Sequence, residues 1–446
     1  MELLTHSEIR DAIIIAASPR PNCTYVSYQF EVPALDPLAV LETLNESAPR
    51  GYFETPSRRR AHAAGSPVVE WKGTGPDRFI VADRWLKQLA ANILSIGETP
   101  RVIATFPFYA GDEINGIPSH LFLPAWQIIT EEGKTSVTLI EKNDPGAAER
   151  LAQRADKFQH FSYHSPHTNN RSVVPTVLSE VGGGWFPSAV TRATELINDG
   201  SFEKIVLSRA FDWRRTTPFN LFASLHRLRQ ANPSCHTFLV DEPDGALLGA
   251  SPETLLSLFN GEVRSEAVAG TTRRGESASE DASLAEALLA SDKDQREHTA
   301  VTASILRRLS MVGVLAATSR PAELLRLGNV MHIRTPIVGT MPADQRFLAI
   351  AGELHPTPAV GGKPRDLALP FIPGFEPHAR GLYTGAVGWI NLDGQSGKLF
   401  VALRCARIQG NVARAFAGAG IVAGSDPAAE TVETEMKLRT ILEALV

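Results

Sequence analysis

The chain has 446 residues, 43% hydrophobic and 21% charged, with a formal net charge of −5. That composition belongs to a soluble globular protein of one large domain or two ordinary ones. Mixed charge leaves no footprint for nucleic acid and no polybasic membrane patch, and apolar runs such as 12–17 are too short to span a bilayer. The N-terminus, MELLTHSEIR, has no basic region before an apolar core, which argues against a secretory signal. Cys23, Cys235 and Cys405 are widely spaced, so neither a zinc knuckle nor a disulfide framework is indicated. A reducing cytoplasm is the expected compartment.

In chain order, RFIVAD (78–83) and RVIATFPF (101–108) read as strand-like pieces. A polar, turn-rich stretch at 160–175, HFSYHSPHTNNRSVVP, marks a candidate boundary. It separates an N-terminal part (1–170) from a denser C-terminal region (171–446), expected to form one intertwined domain. KIVLSRA (204–210) and HTFLVD (236–241) read as strands by β-branched enrichment. GALLGAS, TLLSLFNGEVR, YTGAVGWI, LFVALRCARIQG and RAFAGAGIVA follow. Asn-Gly and Asp-Gly turns make hairpins of LFNGEV and INLDGQSGKLF. One helix begins near Ser291, and another follows Ser425-Asp426-Pro427, a cap with Pro at the first helical position. The expected class is α+β: large antiparallel sheets packed together, with helices outside.

On the last helix Glu430, Glu433 and Lys437 share a face. A solvated face with a Glu433–Lys437 pair is the plain reading. The small-residue strand AGAGIVAGSDP, however, leads straight into that helix, and such a turn lets backbone N–H groups approach an anion. Glu297 shares a face with Val301 and Ile305, so it should point inward, where a carboxylate is paired, protonated or on a metal. Glu297, Glu430 and Glu433 together are an oxygen-rich set that suits Mg²⁺ better than zinc. Lys204 opens an apolar strand that Arg209 closes. It is either an edge charge in solvent or a lysine base, and Glu253 in GASPETLLS is either a cap or a general acid. Gly418-x-Gly420-x-x-x-Gly424 misses the dinucleotide fingerprint, VGGKP is no P-loop, and His160, His164 and His167 sit in a loop-like stretch that reads as surface.

KIVLSRA, GASPETLLS, EAVAGTTRRG, SDKDQREHTAV, VMHIRTPIVGT, LHPTPAVGGKP, YTGAVGWI, FVALRCARI and AGAGIVAGSDPAAETVETEMK occur in that order. Together they resemble the chorismate-utilising enzymes, the family of isochorismate and salicylate synthases and of the large subunits of anthranilate and aminodeoxychorismate synthases. The resemblance covers Lys204 to the C-terminus and only loosely the part before 175. It implies the anthranilate synthase large-subunit fold, chorismate as ligand and Mg²⁺ as cofactor. Glu297 and Glu433 resemble the metal ligands, with Glu430 acting through water. Arg404 resembles the residue that binds the enolpyruvyl carboxylate, a task suited to its bidentate fork. Tyr383, Gly418 and Gly420 complete that pocket, Gly270 and Thr271 line the ring, Lys437 lies near the metal, and His332 belongs to the substrate-binding set.

Three positions separate the members. Lys204 resembles the lysine that activates water in the isochorismate and salicylate enzymes, where the aminating enzymes carry glutamine. Ala269 stands where the nucleophilic aminodeoxychorismate synthases place a lysine. Ala359 stands where salicylate synthases tend to carry threonine. The resemblance therefore implies that chorismate becomes isochorismate, with Lys204 as base and Glu253 as acid. Salicylate synthase, the aminating anthranilate-type subunit and a non-catalytic relative are the alternatives. A monomer without a glutaminase partner is expected, serving menaquinone, siderophore or salicylate synthesis.

Overall fold

A computed structural model describes residues 5–17, 23–110, 116–161, 176–343 and 345–445. Two long strands, Arg60–Gly73 and Ser119–Glu131, pair antiparallel and lead from one sheet into a second. Their register slips between Pro67 and Val69, the kind of irregularity that lets a strand pair bend. On one side of the slip, Ser119–Glu131 pairs with Lys134–Lys142; on the other, with Arg101–Phe106. The first sheet continues from Arg60–Gly73 through Arg50–Thr55, His236–Glu242, Gly245–Ser251, Cys405–Gln409 and Val412–Val422 to Lys204–Arg215. The second continues from Arg101–Phe106 through Ala386–Asn391, Gly397–Val401, Thr254–Phe259 and Glu262–Arg273 to Val330–Thr340. These pairings are antiparallel, whereas Tyr25–Val32 and Ile93–Ile96 run parallel.

The sheets pack face to face through Phe53 and Phe238 of the first and Ile103, Val387 and Phe400 of the second. The Phe53 and Phe400 rings meet edge to face at 5.7 Å. Helices cover the outside, giving the expected α+β class. Asp292–Met311 lays Val301, Ile305 and Leu309, all buried, on strand Glu262–Arg273. Pro427–Ala444 lies along Val412–Val422. Strands of the N-terminal part pair with strands of the C-terminal region at two places, Arg50–Thr55 with His236–Glu242 and Arg101–Phe106 with Ala386–Asn391.

Local chemistry explains most boundaries. Asn260 and Gly261 both take positive φ (51° and 77°), the backbone of a tight two-residue hairpin turn. Asp426 caps its helix by accepting from Ala429 N–H at 2.8 Å, with Pro427 at the first turn. Two sequence expectations change. RFIVAD is the start of the helix Arg78–Ala91, not a strand. Phe79, Ala82, Leu86 and Leu89 are buried along it, a helical period that six residues are too short to display. LFVALRCARIQG is two strands, Gly397–Val401 and Cys405–Gln409, broken where Arg404 takes φ = 50°. Residues 162–175, with His164, His167 and most of the candidate boundary, lie outside the described residues. His160 lies at a helix end, with Nδ1 3.0 Å from the Asp156 carbonyl.

Arg380 and Glu376 form an ion pair with side chains 0% and 2% exposed. Arg380 also donates to the carbonyls of Val206 (2.7 Å) and Val360 (2.8 Å), and Glu376 accepts from Ser208 N–H (2.7 Å). The pair thus clamps the loop after Thr357 onto strand Lys204–Arg215. Replacing Glu376 with Ala strands a buried guanidinium and should cost about 3–5 kcal/mol. Denaturant unfolding of Glu376→Ala beside wild type checks this, and a loss below about 1 kcal/mol would contradict the clamp.

Candidate functional site

A small cavity of about 80 Å³ opens where the two sheets meet the helices Asp292–Met311 and Pro427–Ala444. It is lined by Glu253, Gly270, Thr271, Glu297, His332, Ala359, Tyr383, Arg404, Gly418, Gly420, Glu430, Glu433 and Lys437. The fold thus brings together residues spread over nearly 200 positions. Lys204 is not part of the lining but touches it, with its Nζ 2.6 Å from Glu297 Oε1. A larger cavity, about 1020 Å³, lies elsewhere and holds none of the expected site residues. Its acids are mostly neutralised in place, Glu131 by Arg101 and Glu323 by Arg334. The larger cavity holds one shifted carboxyl, Glu54, whereas the smaller one gathers four, Glu253, Asp294, Glu297 and Glu430, a stronger mark of chemistry.

Lys204 is 4% exposed and sits in the sheet interior, paired with Val422 on one side and Lys363 on the other. The reading of an edge charge is therefore excluded. Gly420 lies beside it, where an added Cβ would stand 2.8 Å from Lys204 Cε and 3.0 Å from Glu297 Oε1. Glu297 is reached from the inward face of its helix, as the spacing with Val301 and Ile305 implied. Burial opposes its ionisation, but Lys204, with Lys437 and Lys293, outweighs burial and holds its carboxyl below the ordinary value.

Glu253 leaves the turn between strands Gly245–Ser251 and Thr254–Phe259 and is 3% exposed. Burial, with the negative charge of Glu266, pushes it up to about 8. Its nearest donor is Thr357 Oγ1 at 3.4 Å. A neutral carboxylic acid at pH 7 is what a proton donor requires.

Arg404 reaches the cavity because the chain breaks at its positive φ. Its Nη2 donates to His332 Nε2 at 2.9 Å, and its buried Nε has no partner among the described residues. Burial, then Arg404, holds His332 well below its ordinary value, so the ring is neutral. His332 Nδ1 faces the Gly270 carbonyl at 3.2 Å and so carries the proton. The guanidinium keeps free donors for a carboxylate. Tyr383 stacks on Phe416 at 4.8 Å, and a Cβ at Gly418 would stand 3.0 Å from its hydroxyl oxygen.

Glu430 is 2% exposed, its pKa raised by burial and by Glu433. Lys293 donates to it at 3.1 Å. Lys437 donates to Glu433 and to the Gly418 carbonyl at 3.0 Å. The plain sequence reading of a Glu433–Lys437 pair is thus present, but inside the cavity wall. At the Gly-rich turn two backbone N–H groups are already taken. Ser425 Oγ accepts from Val422 N–H at 3.1 Å, and the Asp426 carboxylate already occupies the helix start. Sequence reasoning passed over Lys293 and Asp294, which also line the cavity. Both were legible, since they lie four and three residues before Glu297 on the same helical face. Thr357 carried no comparable signal.

Glu297, Glu430 and Glu433 are an all-oxygen donor set suited to a hard divalent cation. As they stand, no three Asp, Glu, His or Cys side chains among the described residues converge closely enough to enclose one. Each of the three carboxylates is drawn onto a lysine ammonium, a cation standing where another would bind. The donor chemistry fits such an ion, because carboxylate oxygens that hold an ammonium are also the ligands a hard dication takes.

A model of the family described as chorismate binding enzyme matches residues 12–446. The chain belongs to this family. It is 38% identical to the isochorismate synthase EntC of Escherichia coli K12 over 415 residues, 90% of this chain and 96% of that one. It is 38% identical to MenF of the same organism over 264 residues, 58% of this chain and 60% of that protein. The solved structure of the menaquinone-specific isochorismate synthase MenF from E. coli superposes with a TM-score of 0.79 at 28% identity, covering 98% of this chain and 99% of that one. Anthranilate synthase component I of Streptococcus pneumoniae, at 23% identity and TM-score 0.70 over 86% of this chain and 92% of that one, shares the fold.

The raised Glu253 pKa has a thermodynamic consequence. The folded state binds this proton more tightly than the unfolded state does. The resulting stability is fully present below the ordinary pKa of 4.5 and is lost as pH rises through about 8. Glu253→Gln removes the titration while keeping the shape. Its melting temperature should therefore rise relative to wild type between pH 5 and pH 8.5, and a constant difference would show that Glu253 is not buried as described.

Proposed function

We propose that this chain is an isochorismate synthase, interconverting chorismate and isochorismate. The observation that carries the reading is the pairing of a buried lysine with a neutral carboxylic acid at one cavity. Lys204 comes from an interior strand and Glu253 is pushed up to about 8 by burial. Relatives named isochorismate synthase, aligned over nearly the whole chain, support it.

In this reading Lys204 first gives up to solvent the proton that pairs it with Glu297, and the amine so formed takes a proton from water as that water attacks C2 of the ring. The double bonds shift, and the C4 hydroxyl leaves with the proton of Glu253. Arg404 holds the enolpyruvyl carboxylate through its free donors, with His332 fixing the guanidinium. Tyr383 and the bare backbone at Gly418 and Gly420 shape the same pocket, while Gly270 and Thr271 flank the ring. A Mg²⁺ held by Glu297 and Glu433, with Glu430 through water, would anchor the ring carboxylate and stabilise developing charge. Ala269 leaves space for water where a lysine would attack, and Ala359 stands where salicylate synthases tend to carry threonine. That favours isochorismate over an aminated product or salicylate, and a chain acting without a glutaminase partner. Monomeric state and a cytoplasmic setting belong to the same proposal; three unpaired cysteines are in keeping with the latter.

Incubation with chorismate and Mg²⁺ should yield isochorismate on chromatography. Salicylate with pyruvate, or an ammonia-dependent amine, would replace the reading with an alternative. Lys204→Ala should lower turnover by about 10²–10⁴-fold, the range for a positioned acid or base, with chorismate binding retained. Arg404→Lys should act mainly on KM, because it loses the fork. Full wild-type activity in excess EDTA would remove the metal from the scheme.

A further inference from the structure

The cavity is balanced by three lysines, each on its own carboxylate, and they are not equivalent. The Lys204 side chain is 6% exposed and that of Lys437 is 13% exposed; both are enclosed by the sheet and the last helix. The Lys293 side chain is 43% exposed and has solvent to move into. Its position is also unfavourable in itself. Lys293 is the second residue of helix Asp292–Met311, after the Ser291 cap, where the helix dipole disfavours a cation and favours the flanking Asp292 and Asp294. What offsets this is Glu430, 137 residues further on and 2% exposed.

The lysine–carboxylate pairs form part of the cavity wall, so an incoming cation meets an ammonium on each carboxylate it would use. A dication alone at these carboxylates would lie against three ammoniums. A dication with a dianionic substrate keeps the balance unchanged.

We propose that Lys293 is a resident counter-cation. It holds Glu430 while the site is empty, opposes capture of a divalent cation in the absence of substrate, and swings into solvent when cation and anionic substrate enter together. This rests on the divalent-cation reading of the site above. Lys293 touches neither ring nor reacting atoms in this scheme and is a positioning residue.

The test is Mn²⁺ binding to the full-length, metal-free protein, read by electron paramagnetic resonance of free Mn²⁺, with and without chorismate. Without chorismate, Lys293→Met should bind Mn²⁺ roughly five-fold or more tighter than wild type, the scale of one partly exposed ion pair. Chorismate should then add correspondingly less to the affinity of that variant, and Lys293→Arg should behave as wild type. A merely structural role would leave Mn²⁺ binding equal or weaker in Lys293→Met, and that result overturns the proposal. In a Glu430→Gln background the gain from Lys293→Met should shrink, because only the weaker field of Lys293 at Glu297 and Glu433 remains to be removed; an undiminished gain there also overturns it. If wild type binds no Mn²⁺ even with chorismate, the cation reading itself falls and takes this proposal with it. That outcome is distinct from a wild type that binds and a variant that binds no better.

Discussion

The ion pair of Lys204 with Glu297 is the contact on which the site depends. Taking an ammonium and a carboxylate out of water costs several kcal/mol per ion, which only short geometry and further partners offset. Here the separation is 2.6 Å, and Lys437 and Lys293 add to the field that holds Glu297 ionised. To make the pair, the first residue of an interior strand must meet a helical residue 93 positions later. That requires the helix Asp292–Met311 to sit at one height on its sheet, which buried Val301 and Ile305 set from below. The bare backbone at Gly420 also leaves the pair its place, because a Cβ there would push Lys204 Cε aside and crowd Glu297 Oε1.

The same environment sorts the carboxyls into roles. Glu253 is buried and the Glu297 side chain is only 13% exposed, yet one is raised to about 8 and the other lowered. Burial acts on both in the same direction; the difference is the company each keeps. Glu297 has an ammonium at hydrogen-bond distance, whereas Glu253 has one weakly placed hydroxyl and the repulsion of Glu266. Proton donor and charged ligand are thus separated by neighbours rather than by residue type.

How much of this was legible follows from what each signal measures. The strands were readable because sandwich interiors select β-branched and small residues, and the Asn260-Gly261 turn because positive φ selects its residues. Glu297 was readable from helical spacing alone, and the same arithmetic reaches Lys293 and Asp294 once it is run backwards along the helix. The break before Cys405 was not readable. Nothing in LFVALRCARIQG marks a residue forced to φ = 50°, since the apolar pattern continues straight through it. The helix Arg78–Ala91 was misread because a short piece rich in β-branched residues satisfies either period. Glu253 could be named as an acid candidate from its segment. Its raised pKa could not, because Glu266 and the burying walls come from elsewhere in the fold.

The closeness of the cavity joins electrostatics to access. Its polar walls are tied in lysine–carboxylate pairs, so a cation and a ring bearing two carboxylates exchange charge with those pairs as they enter. Lys204 is held within the sheet and Lys437 is tied to Glu433 and the Gly418 carbonyl, and both side chains are far less exposed than that of Lys293. The half-exposed first turn of helix Asp292–Met311 is the place where a pair can part while the core stays packed, and the most exposed of the pocket's three lysines stands there, on the buried carboxylate of Glu430.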